Sequence, residues 1–491
     1  MNLNSSFSKI SKCFQKLNYN DLIIFLIPFI IFSIYLYVFN PGFLSFDSYS
    51  QMHQIATGHY GNAHPLFHTF IEMLCLKVYP SPISVAFFQI IVFSSMWMMI
   101  CSYFREDVSS NRITINKLFI FQVLFTLAIS LIPLNAVFSI TLWKDILYSY
   151  FFMFLCFLLM VLFDRKGHVS YPFIVMISLV MAFISQVRLN GLYVIILFLI
   201  VLSAYLFKNN KSDKLYAVLP ALTIIFILLF SSLNIIYDPE DTQTDFVLDK
   251  VTHMLAYYDL NNQLNQHDQE VLYKLMDKQD MKDNFDLIYK DSLRNYAVNK
   301  DVWKENKDTY FEMALHYSLK NPILCIKYLF TSVPIVWDID NDFHKTVYST
   351  NITDARDSFY NYNHIDRAPI TYYDNASPIN SGTPEYEAFN SFLQFFKTND
   401  LLDKLFINSA LCMYLSFIVM MGIYFVTKSK SIILVYLPNI LNIFVIFMST
   451  PSQYTRYLYP NFLILYLLII AFAGYLTKYL RKNRNGESIP E

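Results

Sequence analysis

Charge is scarce in this chain. Asp, Glu, Lys and Arg make up 15% of its 491 residues, against 55% hydrophobic ones. A soluble globular chain carries about a quarter charged residues, so a soluble enzyme of this length is excluded. Net charge is −1 and no segment is strongly basic, so nucleic acid is set aside as a partner. Glycine is scarcer still, at nine residues. Only Gly422 and Gly474 fall well inside apolar runs, so the matched, Gly-broken helices that carriers place at mid-membrane are not evident. Six cysteines make no disulfide framework. Cys101, Cys156 and Cys412 sit in apolar runs, where a thiol packs as a small hydrophobe; Cys75 and Cys325 are expected to be unpaired. The chain has no GxxxxGK[ST] loop, no HExxH pair and no Cys/His cluster of metal spacing, so neither P-loop nor zincin chemistry has its residues.

What is present is apolar length. A bilayer span takes about 20 mostly apolar residues. Ten stretches qualify: roughly 21–39, 81–103, 117–133, 146–163, 171–187, 190–207, 215–236, 405–427, 431–449 and 457–477. The first has no small-residue cleavage site after it and reads as a retained span. Residues 64–79 are shorter, carry Glu72 and Lys77, and read as an interfacial or re-entrant segment. Lys and Arg set the orientation. With the N-terminus in the cytoplasm, the cytoplasmic connections and tails hold seventeen of them and the short outer connections four: Lys77, Lys144, Arg188 and Arg456.

The expected fold is therefore an all-α polytopic membrane protein, multi-pass in the cell membrane with both termini cytoplasmic. About ten transmembrane helices are expected, with a large, mainly helical extracytoplasmic insertion between spans seven and eight. The divisions are a cytoplasmic N-terminus (1–20), spans one to seven (21–236), the insertion (237–404), spans eight to ten (405–477) and a cytoplasmic tail (478–491). Within the insertion, 268–290 and 301–319 have helical apolar spacing, 321–337 reads as a membrane-surface or bundle-packed segment, and 338–384 reads as long loops.

Each outer connection carries a compact polar signature: Asp47 with His64-Pro65; Thr141-Leu142-Trp143-Lys144-Asp145; Arg188-Leu189-Asn190-Gly191; and Pro451-Ser452-Gln453-Tyr454-Thr455-Arg456-Tyr457. The inner connections lack this mixture. Ionisable groups near membrane depth usually face a protein-lined cavity, so these signatures predict one polar cavity open to the outer face. Asp47 suits two roles. Asp47 or Ser45 would cap a short helix ending at Gly58. On that helix Asp47, Gln51, Gln54 and Gly58 share one face, which suits a proton acceptor flanked by amides for sugar hydroxyls. His64 is either an interfacial histidine before a proline-started helix or a donor to substrate at the rim. Trp143 and Lys144 read as interface anchors, with Asp145 as a cap, or as part of the cavity with Lys144 on a phosphate. Arg188 and Arg456 have the fork of donors that fits phosphate. Their plainer role is an ion pair with Asp47, Asp145 or Glu72. Tyr454 and Tyr457 flank Arg456 and suit a lipid chain or a sugar ring.

The order of these pieces resembles the GT-C superfamily of membrane glycosyltransferases. Asp47, Gly58, His64 and Pro65 carry the likeness in the first outer connection. The Trp143-Lys144-Asp145, Arg188-Leu189-Asn190-Gly191 and Arg456-Tyr457 pieces resemble a bacterial branch of that superfamily. The likeness spans about residues 20–235 and 405–477 and not most of the insertion. It implies an enzyme that moves a sugar from a polyprenyl-phosphate-linked donor, at the outer face among membrane lipids, to an envelope glycan, lipid or protein acceptor. It implies Asp47 as catalytic base, and Arg456 with Arg188 or Lys144 on the lipid phosphate. Gln51, His64, Trp143, Asp145, Asn190 and Tyr454 complete the expected substrate site. Ser48 stands where many members have a second acidic residue, which leaves a divalent cation open as a cofactor. A polysaccharide polymerase, a lipid or glycan transporter and a non-catalytic assembly protein are the competing readings.

Overall fold

A computed structural model describes residues 18–106, 112–164, 170–209, 215–240, 246–340, 380–449 and 453–484. Among them it is helical throughout, with no strand. The first part runs α1 (Tyr19–Val38), α2 (Phe46–Thr57), α3 (Leu66–Val78), α4 (Ile83–Glu106), α5 (Arg112–Leu131), α6 (Pro133–Ser139), α7 (Lys144–Asp164), α8 (Tyr171–Val187), α9 (Leu189–Asn209) and α10 (Leu215–Tyr237). A polar helical unit follows: α11 (Phe246–Leu260), α12 (Gln266–Leu275), α13 (Lys278–Asn284), α14 (Lys290–Tyr296), α15 (Lys300–Lys320) and α16 (Pro322–Thr331). The last part is α17 (Pro384–Thr398), α18 (Asp400–Ile407), α19 (Ser409–Thr427), α20 (Ser431–Ser449) and α21 (Tyr459–Arg484).

Eight described helices are long and apolar enough to cross a membrane: α1, α4, α7, α9, α10, α19, α20 and α21. The stretch 117–133 is not one straight helix. Its helix stops at Leu131 and resumes as α6 at a 71° bend. Pro133 supplies the reason, because it has no N–H to continue the ladder and biases the residue before it away from the helical region. With that bent pair as one span the number rises to nine. The stretch 171–187 forms α8, at 17 residues shorter than those eight. In the polar unit, 268–290 does not form one helix: α12 ends at Leu275, and Asp277 caps α13 by accepting from the N–H groups of Gln279 and Asp280. The loop reading of 338–384 falls mostly on 341–379, outside the described residues.

A helix apolar on every side belongs in an interior. α7 is that helix, with its side chains buried from Asp145 to Leu162 almost without a break. It packs against α8, α20, α21 and α4, while α1 lies along α4 and α19 along α21. The polar unit has a core of its own, in which Trp303, Tyr310, Tyr317, Tyr258 and Tyr328 are buried with Leu255, Leu272 and Met281. Gln453 ties the two parts together. Its amide donates to the Ser332 carbonyl at 3.0 Å and accepts from the Ile335 N–H at 3.2 Å, while Ser409 donates to the Ile335 carbonyl at 2.9 Å. The five cysteines among the described residues are unpaired thiols.

Candidate functional site

The site is assembled by stitching two connections together. Phe43 donates its N–H to the Ile140 carbonyl at 2.9 Å, and Leu142 donates to the Phe43 carbonyl at 3.0 Å. These bonds form one parallel bridge between Phe43 and Thr141. Gly42 permits the approach. Its φ is +111°, and a Cβ there would lie 2.6 Å from the Ile140 carbonyl oxygen. Gln89 braces the other side by donating to the carbonyls of Ser139 and Thr141 at 3.1 and 3.0 Å.

α2 begins directly after the bridge. Ser45, not Asp47, is its N-cap, and the Ser45 N–H donates back to Ser48 Oγ at 3.1 Å. Ser48 donates to the Leu142 carbonyl at 2.7 Å, and Trp143 Nε1 donates to Ser45 Oγ at 2.7 Å. The capping residues are thus bonded across to the second connection. Asp47 is left pointing at what that connection carries. Gly58 closes α2 in the left-handed region at φ 72°, as the sequence predicts.

Asp47 Oδ2 meets Arg456 Nη1 at 2.8 Å, and the two side chains keep 24% and 13% of their surface exposed. Arg456 Nε lies 3.8 Å from Asp145 Oδ2, and Arg188 Nε lies 3.1 Å from Asp145 Oδ1. Asp145 is therefore no cap. It is a buried carboxylate between two guanidinium groups. Aromatic faces hold the arginines flat: Arg456 is 4.7, 5.3 and 5.2 Å from the ring centres of Trp143, Tyr454 and Tyr457, and Arg188 is 5.3 and 4.9 Å from those of Tyr148 and Tyr457. A guanidinium keeps its in-plane donors free in this stacked geometry. Arg188 also donates to the Tyr457 carbonyl at 3.3 Å. Its position follows from a sharp α8–α9 junction, where Gly191 packs so closely that a Cβ would fall 2.2 Å from the Ile184 carbonyl oxygen.

Lys144 Nζ is 2.8 Å from His64 Nδ1. An ammonium has no lone pair, so the imidazole nitrogen accepts. Burial, reinforced by the Lys144 charge, pushes His64 down to about 3, so the ring is neutral. Burial alone would raise the Asp47 carboxyl, but the Arg456 charge, the Lys144 charge and the Arg456 hydrogen bond more than offset it and hold Asp47 well below the ordinary carboxylate range. The cluster then counts three cations, Lys144, Arg188 and Arg456, against two carboxylates, Asp47 and Asp145. One positive charge is left over, in an aromatic-walled setting. A divalent cation is a poor match for this arrangement, because both carboxylates already face guanidinium groups and the surplus charge is positive. The donor set suits an anion.

The structure thus brings Asp47, His64, Trp143, Lys144, Asp145, Arg188, Tyr454 and Arg456 into one neighbourhood. Two expected site residues turn elsewhere. Gln51 is buried beneath α2, where its amide donates to Thr69 Oγ1 at 2.9 Å and lies 3.0 Å from His68 Nδ1. Asn190 donates to Ser449 Oγ at 3.3 Å. Glu72, expected as a possible arginine partner, lies instead beside His68 at 3.6 Å, fully buried on α3. Tyr148 joins the site unannounced by any outer polar signature: its ring supports Arg188 and its hydroxyl donates to Asn442 at 2.8 Å. A tyrosine one turn inside an apolar helix was the available signal. No protein-family model, curated protein or solved structure matches this chain.

Proposed function

We propose that this protein is a membrane glycosyltransferase that moves a sugar from a polyprenyl-phosphate-linked donor to an envelope acceptor. The observation that supports the reading best is the surplus positive charge of the Lys144–Arg188–Arg456 cluster beside Asp47, a carboxylate with about a quarter of its side chain exposed. Such a site favours a phosphate, and the aromatic faces of Trp143, Tyr454 and Tyr457 suit the apolar and sugar parts of a lipid-linked donor.

The ion pair sets the order of events. With Arg456 bound to it, Asp47 is too weak a base to take a proton. A donor phosphate competes for Arg456 and Lys144, and as their charges turn to the phosphate, the Asp47 carboxylate becomes more basic. The acceptor hydroxyl then loses its proton to Asp47, its oxygen forms a bond to the anomeric carbon, and the bond from that carbon to the phosphate oxygen breaks. The electron pair leaves with the phosphate, where the cations stabilise it. A single displacement of this kind inverts the anomeric centre. The Lys/Arg asymmetry supports an outer-face site with ten membrane passes in all, α8 and the bent α5–α6 pair included, and both termini in the cytoplasm. The bend at Pro133 is also the kind of break carriers use, but among the described residues it has no counterpart in a second half of the chain.

The test is sugar transfer by reconstituted protein from a polyprenyl-phosphate sugar. Asp47→Asn is expected to lower transfer by about 10²–10⁴-fold, the usual contribution of a general base. Transfer at the wild-type rate by this variant removes Asp47 from the chemistry. Transfer only from a diphosphate-linked oligosaccharide makes the protein a polymerase.

A further inference from the structure

The polar unit exposes an apolar face where it meets the bundle. Leu319 near the end of α15 and Ile323, Ile326 and Phe330 on α16 form a run of exposed large hydrophobics. α16 is apolar yet only ten residues long, about half of a bilayer span. Ile323, Ile326 and Phe330 share one side of it, Lys327 edges that side, and Tyr328 is buried on the other. A second pair of helices repeats the pattern. On α17, Leu393, Tyr386, Phe389 and Phe396 pack on the bundle core, while Phe392 and Phe395 are exposed beside them. Asn390, Gln394 and Lys397 take the third side of α17. On α18, Ile407 is buried and Leu401 and Leu405 are exposed. Ile323 and Leu401 are 83% and 67% exposed, as open as Ile418 at 63% on α19, a helix long and apolar enough to cross a membrane.

Both faces start where membrane-length helices end. Phe330 meets Phe447, in the last turn of α20, with ring centres 5.3 Å apart. Phe389 meets Tyr35, in the last turn of α1, at 5.0 Å, and Tyr386 meets Phe39 just after it at 5.4 Å. α18 passes into α19 through Asn408 alone. α1 leads to Asp47 and α20 to Arg456, and those side chains touch at 2.8 Å, so these helix ends lie on one side of the bundle. The exposed faces are therefore continuous with the apolar surface of helices of crossing length. A short helix with a core side, an apolar side and a polar side, placed at this level, lies in the plane of the interface, and a lysine at the edge extends to the headgroups. We propose that the exposed faces of α16 and of the α17–α18 pair are lipid-docking surfaces, seated in the headgroup–acyl boundary of the leaflet that borders the Asp47–Arg456 pair. This docking holds whichever leaflet that is and whatever reaction the site performs.

The experiment attaches spin labels, one at a time, through Ile323→Cys, Phe395→Cys and Leu401→Cys in full-length, otherwise cysteine-free protein in phosphatidylcholine–phosphatidylglycerol nanodiscs. Ile418→Cys on α19 gives the lipid reference and Lys282→Cys on α13 the water reference, both positions being exposed. Each test label is expected to collide with oxygen in preference to a water-soluble nickel chelate, at a ratio about fivefold or more above that of the Lys282 label, because oxygen concentrates in the acyl region that an interfacial apolar face enters. A ratio equal to that of the Lys282 label puts the face in water and overturns the docking. Shielding from both reagents means that protein covers the face, whether a second copy or another segment of this chain, and overturns it as well. Phe395→Trp in protein that keeps its native cysteines gives an independent reading. Lipids brominated in the upper acyl chain are expected to quench roughly half or more of the fluorescence it adds, and absence of quenching overturns the docking of α17.

Discussion

Asp145 and Asp47 differ more than their shared chemistry suggests. Asp145 has 1% of its side chain exposed and lies between Arg188 and Arg456; Asp47 reaches solvent and meets Arg456 alone. The first carboxylate lies between the two arginines, and the second is the one a ligand can release. Asp145→Asn would leave two buried guanidinium groups short of a counter-charge. Removing one partner of a buried pair costs roughly 3–5 kcal/mol, so a clearly lower unfolding midpoint in detergent is expected. A midpoint equal to wild type would show that Asp145 is not the charge that holds Arg188. This difference in role was not legible in the sequence. Both residues stand next to an apolar run, and either suited a cap. Ser45 takes the cap, and its side chain accepts from Trp143 Nε1 at 2.7 Å, a contact between segments almost a hundred residues apart.

At the scale of elements, the site depends on a backbone contact more than on any side chain. The bridge between Phe43 and Thr141 fixes where α2 starts, and α2 fixes Asp47. Gly42 makes that contact close enough. Gly42→Ala meets both a left-handed φ and a carbonyl oxygen at 2.6 Å, strain worth about 1–3 kcal/mol in each respect. The variant is expected to lose thermal stability and to loosen the Asp47–Arg456 pair. Stability matching wild type would mean that the bridge is dispensable. Several elements were readable beforehand for plain reasons. Gly58 ends α2 because a left-handed cap favours glycine, and the apolar runs 81–103 and 215–236 became α4 and α10, whereas 405–427 breaks at Asn408, which caps α19. Others depart from the sequence pattern because local signals compete. Apolar composition carried 117–133 through Pro133, whereas the chain bends there by 71°. Likewise, helical spacing ran 268–290 together, whereas the Asp277 cap starts a new helix.

Across the whole molecule, two cores meet at a junction where Val333, Ile335 and Val336 pack on Ile446 and Leu458. The apolar bundle centres on α7, the polar unit on its own tyrosines and Trp303, and Gln453 joins them next to Arg456. The charge asymmetry makes a molecule-wide prediction. An alkaline phosphatase reporter fused after Arg484 should be inactive and one fused after Lys320 active, because the first is expected in the cytoplasm and the second outside. The reverse pattern would invert the orientation and put the arginine cluster on the inner face. The sequence by itself determined the helical, membrane-type class, since apolar length and scarce charge are local properties summed along a chain. It also marked eight of the residues that gather around Arg456. Only the tertiary structure decided that Asp47 and Arg456, 409 positions apart, are partners, and that Gln51 and Asn190 face away from them. Pairing of charges is a matter of distance through space. The order of residues along the chain lists the groups and leaves their distances to the packing of helices.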